Sequence, residues 1–300
     1  MNSAGNRFNI VGMGELLWDL LPAGKQLGGA PANFAYHAQS LGAQSFIVSS
    51  LGQDELGSEI LKILQSIDLN CKYIQDDKKH PTGTVEVKLD ENGVPDFTIH
   101  KNVAWDHIYS NEKLLELAKH TDAVCFGTLA QRSAISRETI QTFLKATNPK
   151  CLRVYDINLR QDYYNIELVK NSLDLSNCLK LNEDELPVVA KLLGINGNED
   201  EILHKLLKKY ELQLIVLTKG ENGSFLYNSS GKTFRKTPKV KVADTVGAGD
   251  SFTAAIILGI LKKLPLEQIH TNAVKLSAYV CTQKGATPPL SESLKEELLA

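Results

Sequence analysis

The sequence predicts an α/β protein: a mostly parallel central sheet with helices on both faces, plus a small β-sheet lid. Three observations carry this. Short apolar runs of strand length alternate with stretches of helical periodicity along most of the chain. One stretch breaks that alternation with a two-residue period. Two glycine-rich segments each run directly into a helical stretch, one near each end of the chain.

Taken in order, Phe8–Val11 reads as a strand ending at Gly12, Ala30–Leu41 as a helix, Ser45–Ser50 as a strand and Asp54–Ile67 as a helix. Thr82–Asp90 then alternates, with Val85, Val87 and Leu89 on one side and Thr84, Glu86 and Lys88 on the other. Asp90-Glu91-Asn92-Gly93 is a turn signal, and Val94–Lys101 is a second extended run. An antiparallel hairpin with one polar face does not suit a doubly wound core, so it is placed outside the main sheet. The rhythm resumes with strands at Ala123–Phe126, Leu152–Tyr155, Cys178–Leu181 and Leu214–Leu217. Helices are expected at Ser136–Lys145, Asn165–Leu173, Glu183–Leu193 and Glu199–Tyr210. A hairpin joins Ser224–Tyr227 to Thr233–Lys236, and two helices follow, Ala248–Leu261 and Leu266–Thr282. Residues 1–300 read as a single domain, with lid elements at about 16–28 and 82–103.

Composition excludes several classes. A net charge of −2 with no basic tail argues against nucleic acid as a partner. The longest apolar run, Ala254–Leu261, is too short to span a bilayer, so no membrane is expected. The N-terminus lacks the basic-then-apolar pattern of a secretory signal. The five cysteines are odd in number, scattered and free of any CxxC, which suits thiols in a reducing compartment. A cytoplasmic protein is expected. The histidines show no zinc-ligand spacing.

The strongest local signal is Asp244-Thr245-Val246-Gly247-Ala248-Gly249-Asp250-Ser251-Phe252. Amides at Gly247, Ala248 and Gly249, at a helix N-terminus, point at an anion with the favourable end of the helix dipole behind them. Asp250 adds a negative charge beside that anion. A general base needs that placement, to take a proton from an alcohol attacking a phosphoryl group; on residue type alone a helix cap is the other reading. The second signal is Gly28-Gly29-Ala30-Pro31-Ala32-Asn33-Phe34-Ala35. Its glycines let a polyol lie against the backbone, and Asn33 both donates and accepts, as vicinal hydroxyls require. Asp19 stands in an otherwise apolar run, either on the polar face of an edge strand or as an acceptor for sugar hydroxyls.

At these residues the chain resembles the ribokinase-like (PfkB) carbohydrate kinases, over about residues 8–290. Both family signatures occur in order, GGAPANFA followed by Gly42 and Gly52, and DTVGAGDSF about 210 residues later. The resemblance implies a ribokinase-like three-layer α/β/α sandwich and ATP-dependent phosphorylation of a sugar. It implies Asp250 as catalytic base and Gly247, Ala248 and Gly249 as the anion hole. Asp19, Gly28, Gly29 and Asn33 match sugar-binding positions. Asn182 and Glu185 match an NxxE motif that orders Mg²⁺, phosphate and water, with Glu185 reaching the metal through water. Thr218, Gly220 and Gly223 match a TxGxxG nucleotide loop, and Asn272 lies where an adenine pocket forms. Asp244, with carbonyls at Val246 and Ala286, resembles a monovalent-cation site, which points to K⁺.

For the sugar, GELLWDLLP with GGAPAN is similar to fructokinases, while Asp156-Ile157-Asn158-Leu159-Arg160 resembles a segment shared with 2-keto-3-deoxygluconate kinases. Arg160 suits a phosphoryl oxygen or a substrate carboxylate, or is a surface arginine. Asp19 tips the balance to fructose. His100, Lys101 and Asn102 end the lid hairpin within reach of a sugar. A nicotinamide-binding fold is excluded because Leu17 occupies the third glycine position of GxGxxG, and no GxxxxGK[ST] exists. A non-catalytic sugar sensor on the same fold is the rival of a different class. A homodimer is left open.

Overall fold

The apolar alternation of the first strand sets up the two cores of the molecule. The computed structural model describes residues 7–21, 24–89 and 95–299. In β1 (Asn9–Met13), Ile10 faces one layer while Val11 and Met13 face the other. The chain then leaves the main sheet for β2 (Leu17–Leu21) and β3 (Gly24–Gly28), and returns through α1 (Ala30–Ser40), β4 (Gln44–Gly52), α2 (Glu55–Ser66) and β5 (Asn70–Asp77). β6 (Gly83–Leu89) and β7 (Pro95–Ile99) leave again. α3 (Glu112–Lys119), β8 (Ala123–Phe126), α4 (Ala134–Ala146), β9 (Leu152–Asp156), α5 (Ile166–Leu175), β10 (Cys178–Asn182), α6 (Glu185–Leu193), α7 (Glu199–Lys209) and β11 (Leu214–Thr218) continue the alternation. β12 (Ser224–Asn228), β13 (Gly231–Arg235), α8 (Ala248–Leu261), α9 (Leu266–Cys281) and α10 (Glu292–Leu299) complete it.

The main sheet has nine strands in the order β13-β12-β11-β10-β9-β8-β1-β4-β5. β5 through β11 pair in parallel, while β12 and β13 add antiparallel at one edge. Along β8, Ala123 and Cys125 join a core with α1, α8 and α9, while Val124 and Phe126 join a core with α3 to α7. This is the expected three-layer sandwich. Strands covered on both faces lose their polar alternation, which is why they read as continuous apolar runs. α8 is apolar on nearly every side because it is clasped by α1, α9 and the sheet.

The second sheet, order β3-β2-β6-β7, is the expected lid. Two details differ from expectation. β2 pairs in parallel with β6 and antiparallel with β3, so Asp19 sits on an inner strand and not on an edge. β5, α3 and α10 were not foreseen, because β5 is a half-buried edge strand of mixed polarity and the two helices are eight residues each. The predicted turn at Asp90–Gly93 and the Pro22 of the fructokinase-like segment lie outside the described residues. All five cysteines are free, and Cys125, Cys151 and Cys178 are buried, as the composition suggested. Among the described residues no helix is long and apolar enough to cross a membrane.

The lid is rooted by a buried ion pair that sequence reading missed. Arg132 ends a 3₁₀ turn after β8, and its Nε and Nη2 donate to Asp106 Oδ1 and Oδ2 at 2.8 and 2.9 Å. The guanidinium also donates to the carbonyl of His100, where β7 leaves the lid, and stacks 4.0 Å over Trp105. Both charged side chains are 6% exposed. Removing one partner strands the other charge out of water, at a cost of about 3–5 kcal/mol. Asp106→Ala should therefore lower the unfolding free energy by that amount in urea titration. A loss below about 1 kcal/mol would show the pair to be solvated.

Candidate active site

Ligands of open α/β sheets bind beyond the carboxyl ends of the strands, where the strand order reverses. Here the chain winds outward from β1 in one direction through β4 and β5, and in the other through β8 to β11. The residues just past these ends are Glu15 after β1, Gly127 after β8, Asp156 at the end of β9, Asn182 at the end of β10 and Thr218 at the end of β11. The predicted motifs gather at this edge.

The first glycine motif forms the sharp entry into α1. Gly29 caps the helix with φ 125°, and a Cβ there would lie 2.6 Å from the carbonyl oxygen of Glu15, so only glycine fits. Its carbonyl accepts the amides of Ala32 and Asn33 at 3.0 and 3.1 Å. Asn33, 5% exposed, is thereby aimed at the second motif: its Nδ2 donates to Asp250 Oδ2 at 2.8 Å. One hydrogen bond joins the two signatures. Part of Asn33's capacity, expected to serve sugar hydroxyls, is thus spent on Asp250. Asp19 stands beside Gly28 across the β2–β3 pair, half-buried, and burial raises its carboxyl while Arg160 opposes the rise.

The second motif opens α8. Gly247 adopts the left-handed conformation, φ 78°, pressed against the carbonyl of Ala286. The amide of Ala248 donates to Thr245 at 3.3 Å, so the expected three-amide cradle is reduced. The first intrahelical bond is Ser251 N to Gly247 O, which leaves the amides of Gly249 and Asp250 in the orphan first turn. Asp250 is therefore the third helical residue and not the cap, which is Gly247. The loop is braced from behind. His37 on α1, fully buried and held neutral by burial (pKa lowered to about 4), donates from Nε2 to Ala286 O at 2.8 Å.

Burial lifts the Asp250 carboxyl from 3.8 to about 6; Asp156 adds to the rise, while Lys180, Asn33 and Arg160 oppose it. Lys180 comes from the middle of β10 and its Nζ pairs with Asp156 Oδ1 at 2.9 Å, both largely buried. Its ammonium lies 3.3 Å from the position a Cβ on Gly249 would take, beside the anion-binding turn. Lys180 was missed, although a lysine inside the apolar run of a strand buried on both faces was a signal in itself. Arg160 is exposed, donates from Nη1 to Leu159 O at 3.0 Å, and its charge favours the ionised forms of Glu15, Asp19 and Asp250.

The nucleotide-side motifs are adjacent. Asn182 and Thr218 are register partners on β10 and β11, and Glu183 N donates to Thr218 O at 3.0 Å. Asn182 Oδ1 accepts the amides of Asp184 and Glu185, which delays the start of α6 to Glu185. Glu185 accepts from Leu159 N and Asn182 N at 3.0 and 2.8 Å, so both its oxygens are anchored. Gly220 (φ 50°) and Gly223 (φ 119°) shape the turn between β11 and β12. Asp244 accepts from Val246 N and Gly285 N at 3.0 and 3.2 Å; burial alone would raise its carboxyl, but these amides, with Thr245 and Gln26, hold it below its usual range. Asn272 lies on α9, and its Nδ2 donates to Leu298 O at 3.0 Å. The lid trio is engaged as well: His100 Nδ1 with Thr84 Oγ1, Lys101 over Tyr163, and Asn102 with His107.

A mostly parallel sheet with an orphan helix N-terminus and a buried carboxylate at its switch point is a ligand site of the kind open α/β folds present. Residues 23–293 match the pfkB family carbohydrate kinases, and the chain belongs to that family. It is 27% identical over 304 residues to the fructokinase of Escherichia coli, covering 95% of this chain and 97% of that one. It is 28% identical over 313 residues to fructokinase-1 of Oryza sativa subsp. japonica, covering 96% of each. The solved structure of an uncharacterized sugar kinase from Pyrococcus horikoshii superposes with TM-score 0.83 at 28% identity, over 97% of this chain and 100% of that one. The same protein has been solved in complex with ATP.

The raised Asp250 carboxyl has a consequence for stability. The fold prefers its protonated form, so ionised Asp250 opposes folding. That cost is absent below 3.8, grows between 3.8 and about 6, and is complete above. The rise from 3.8 to about 6 corresponds to an upper figure of roughly 3 kcal/mol. Asp250→Asn keeps the shape and should raise the unfolding free energy at pH 8 by about 1–3 kcal/mol, with the gain vanishing as pH approaches 4. Urea titrations at both pH values check this; a destabilised variant at pH 8 would contradict it.

Proposed function

We propose that this carbohydrate kinase transfers the γ-phosphoryl group of ATP to a hydroxyl of D-fructose, with Asp250 as the general base. The observation that carries the reading is Asp250 itself: a carboxylate lifted to about 6, oriented by Asn33, beside the free amides of a helix N-terminus. Gly249 and Asp250 amides receive the phosphoryl oxygens, and Lys180 supplies a neighbouring positive charge. Asp250 takes the proton as the sugar oxygen attacks. Gly28, Gly29, Asn33 and Asp19 hold the sugar, and Arg160 sits over its outer side. Thr218, Gly220 and Gly223 line the nucleotide, with Asn272 toward the base. Glu185, with Asn182 beside it, would hold Mg²⁺ through water, and the ion would supply positive charge to the phosphates. The oxygen donors around Asp244, Val246 and Ala286 suit a hard monovalent cation such as K⁺, which would stiffen the Gly247 loop.

Asp250→Asn should lower kcat by ~10²–10⁴ with sugar KM changed only a few-fold. Phosphorylated sugar and ADP measured together check this. Turnover near the wild-type value would reduce Asp250 to a structural residue, and no ADP from the wild type with any sugar would favour the sensor reading.

Fructose is preferred over 2-keto-3-deoxygluconate because Asp19, at a position matching the sugar ligands, would repel the acid's carboxylate. Two like charges 4 Å apart cost about 1 kcal/mol in water and more in a drier site. Tenfold discrimination needs only about 1.4 kcal/mol. The relatives named fructokinase agree with this choice. In competition kinetics, kcat/KM for fructose should exceed that for the keto acid by at least about tenfold. Preference for the acid would overturn the sugar assignment and leave the kinase assignment standing.

A further inference from the structure

Beside Asp250 lies a small cavity. It is about 10 Å³, and its polar lining is Glu15, Asp156, Asn158 and Asp250, with Pro31 and Phe126 among its apolar walls. That is about the room one water needs, and the lining offers the two to four polar partners such a water requires. Glu15 is 5% exposed and its Oε2 has no hydrogen-bond partner, although buried carboxyl oxygens are ordinarily satisfied. A lone apolar-packed carboxyl would be a cost with no return. A carboxyl facing the general base across a one-water gap has a use.

We propose that Glu15 is the second station for the reaction proton: a water in this cavity passes to the Glu15 carboxylate the proton that Asp250 takes from the sugar hydroxyl. In the transfer, the sugar O–H bond breaks and its electron pair forms the new O–P bond. The bridging P–O bond breaks with its pair on ADP, and the proton goes to Asp250. The water then accepts that proton and gives one of its own to Glu15. Asp250 returns to the carboxylate, and Glu15 is left as the acid until solvent takes the proton between turnovers. The proposal rests on the reading of Asp250 as base and makes Glu15 a positioning residue for the proton.

The electrostatics run in the required direction. Burial raises Glu15 from 4.5 to about 7, its own backbone and Arg160 oppose this, and Asp250 and Asp156 add to it. Asp250 stands at about 6. Burial thus raises both carboxyls, with the higher value at Glu15, so a proton released by Asp250 has a station at Glu15 near neutral pH. The other groups facing the site are Lys180, committed to Asp156, and the thiol of Cys125, whose pKa is pushed well above its usual value by burial and which stays neutral.

The test compares Glu15→Gln, which keeps the shape but takes no proton, with Glu15→Asp. Wild-type kcat should rise with pH in two steps, near 6 and near 7. Glu15→Gln should lose the upper step and fall about tenfold or more at pH 8 with sugar KM nearly unchanged, and Glu15→Asp should restore the two-step profile. A loss uniform in pH, or a profile superposing on the wild type, would overturn the proposal. A second measurement needs no substrate. The infrared band of a protonated carboxyl, followed as pH is raised through neutrality, should persist to higher pH in the free wild-type enzyme and in Asp250→Asn than in Glu15→Gln, whose remaining band includes Asp250. A band that disappears at the same pH in Glu15→Gln as in the wild type would also overturn it. This band does not depend on which sugar is phosphorylated, so failure of the fructose reading leaves it unchanged.

Discussion

The chemistry at the sheet edge depends on one ammonium group. Lys180 Nζ is buried among Asp156, Glu185 and Asp250, and all three hold its charge in place. A parallel sheet covered on both faces offers water only at its strand ends. Charges there are half out of solvent and must compensate one another. Without Lys180, Asp156 would lose its ion-pair partner, and the balance that leaves Asp250 ionisable near neutral pH would fail. Burial raises both Glu15 and Asp250; Lys180 and Arg160 oppose the rise at Asp250, and Arg160 opposes it at Glu15.

A second set of constraints fixes the loop that carries Asp250. Gly247 can turn left-handed against Ala286 only because it lacks a Cβ, and Ala286 is held by His37 from α1. Asp244 clasps Val246 on one side and Gly285 on the other, with Gln26 of the lid joining it. The anion-binding turn is thus tied both to α1, which also presents Asn33, and to β3 of the lid. Gln26 and Asp244 thus link β3 of the lid to the turn that opens α8.

Much of this was legible in the sequence because the strongest patterns are local. Ala123–Phe126 was placed correctly since four consecutive buried residues admit little else, and the helix from Ala248 was announced by its glycines. The two signatures converge as expected, joined by Asn33 and Asp250. What escaped is non-local. Nothing near Lys180 in sequence says that Asp156 lies 2.9 Å away on the next strand. Nothing near Glu15 reveals a cavity formed with residues from four other segments. β5 escaped because an edge strand has half its surface in solvent and no clean period. The Ala248 amide could not be foreseen as turned to Thr245, since that depends on the left-handed Gly247.

The lid shows how the two halves of the proposed reaction are kept in register. Asp19 lies on an inner strand, flanked by β3 and β6, so its backbone is fixed by ladders on both sides. An edge strand would leave it free to slide; an inner strand places a sugar ligand with the precision that near-attack geometry demands. That precision matters only if the lid itself is anchored. Arg132 supplies the anchor by binding the carbonyl of His100 and both oxygens of Asp106 while lying on Trp105. A buried ion pair is a poor source of net stability, but its strict geometry fixes where β7 leaves the lid for the body. In the proposed reaction the body would set the proton acceptors and the lid the sugar, and the two would meet across Gly28 and Gly29, where a Cβ would meet Asp19 or the carbonyl of Glu15.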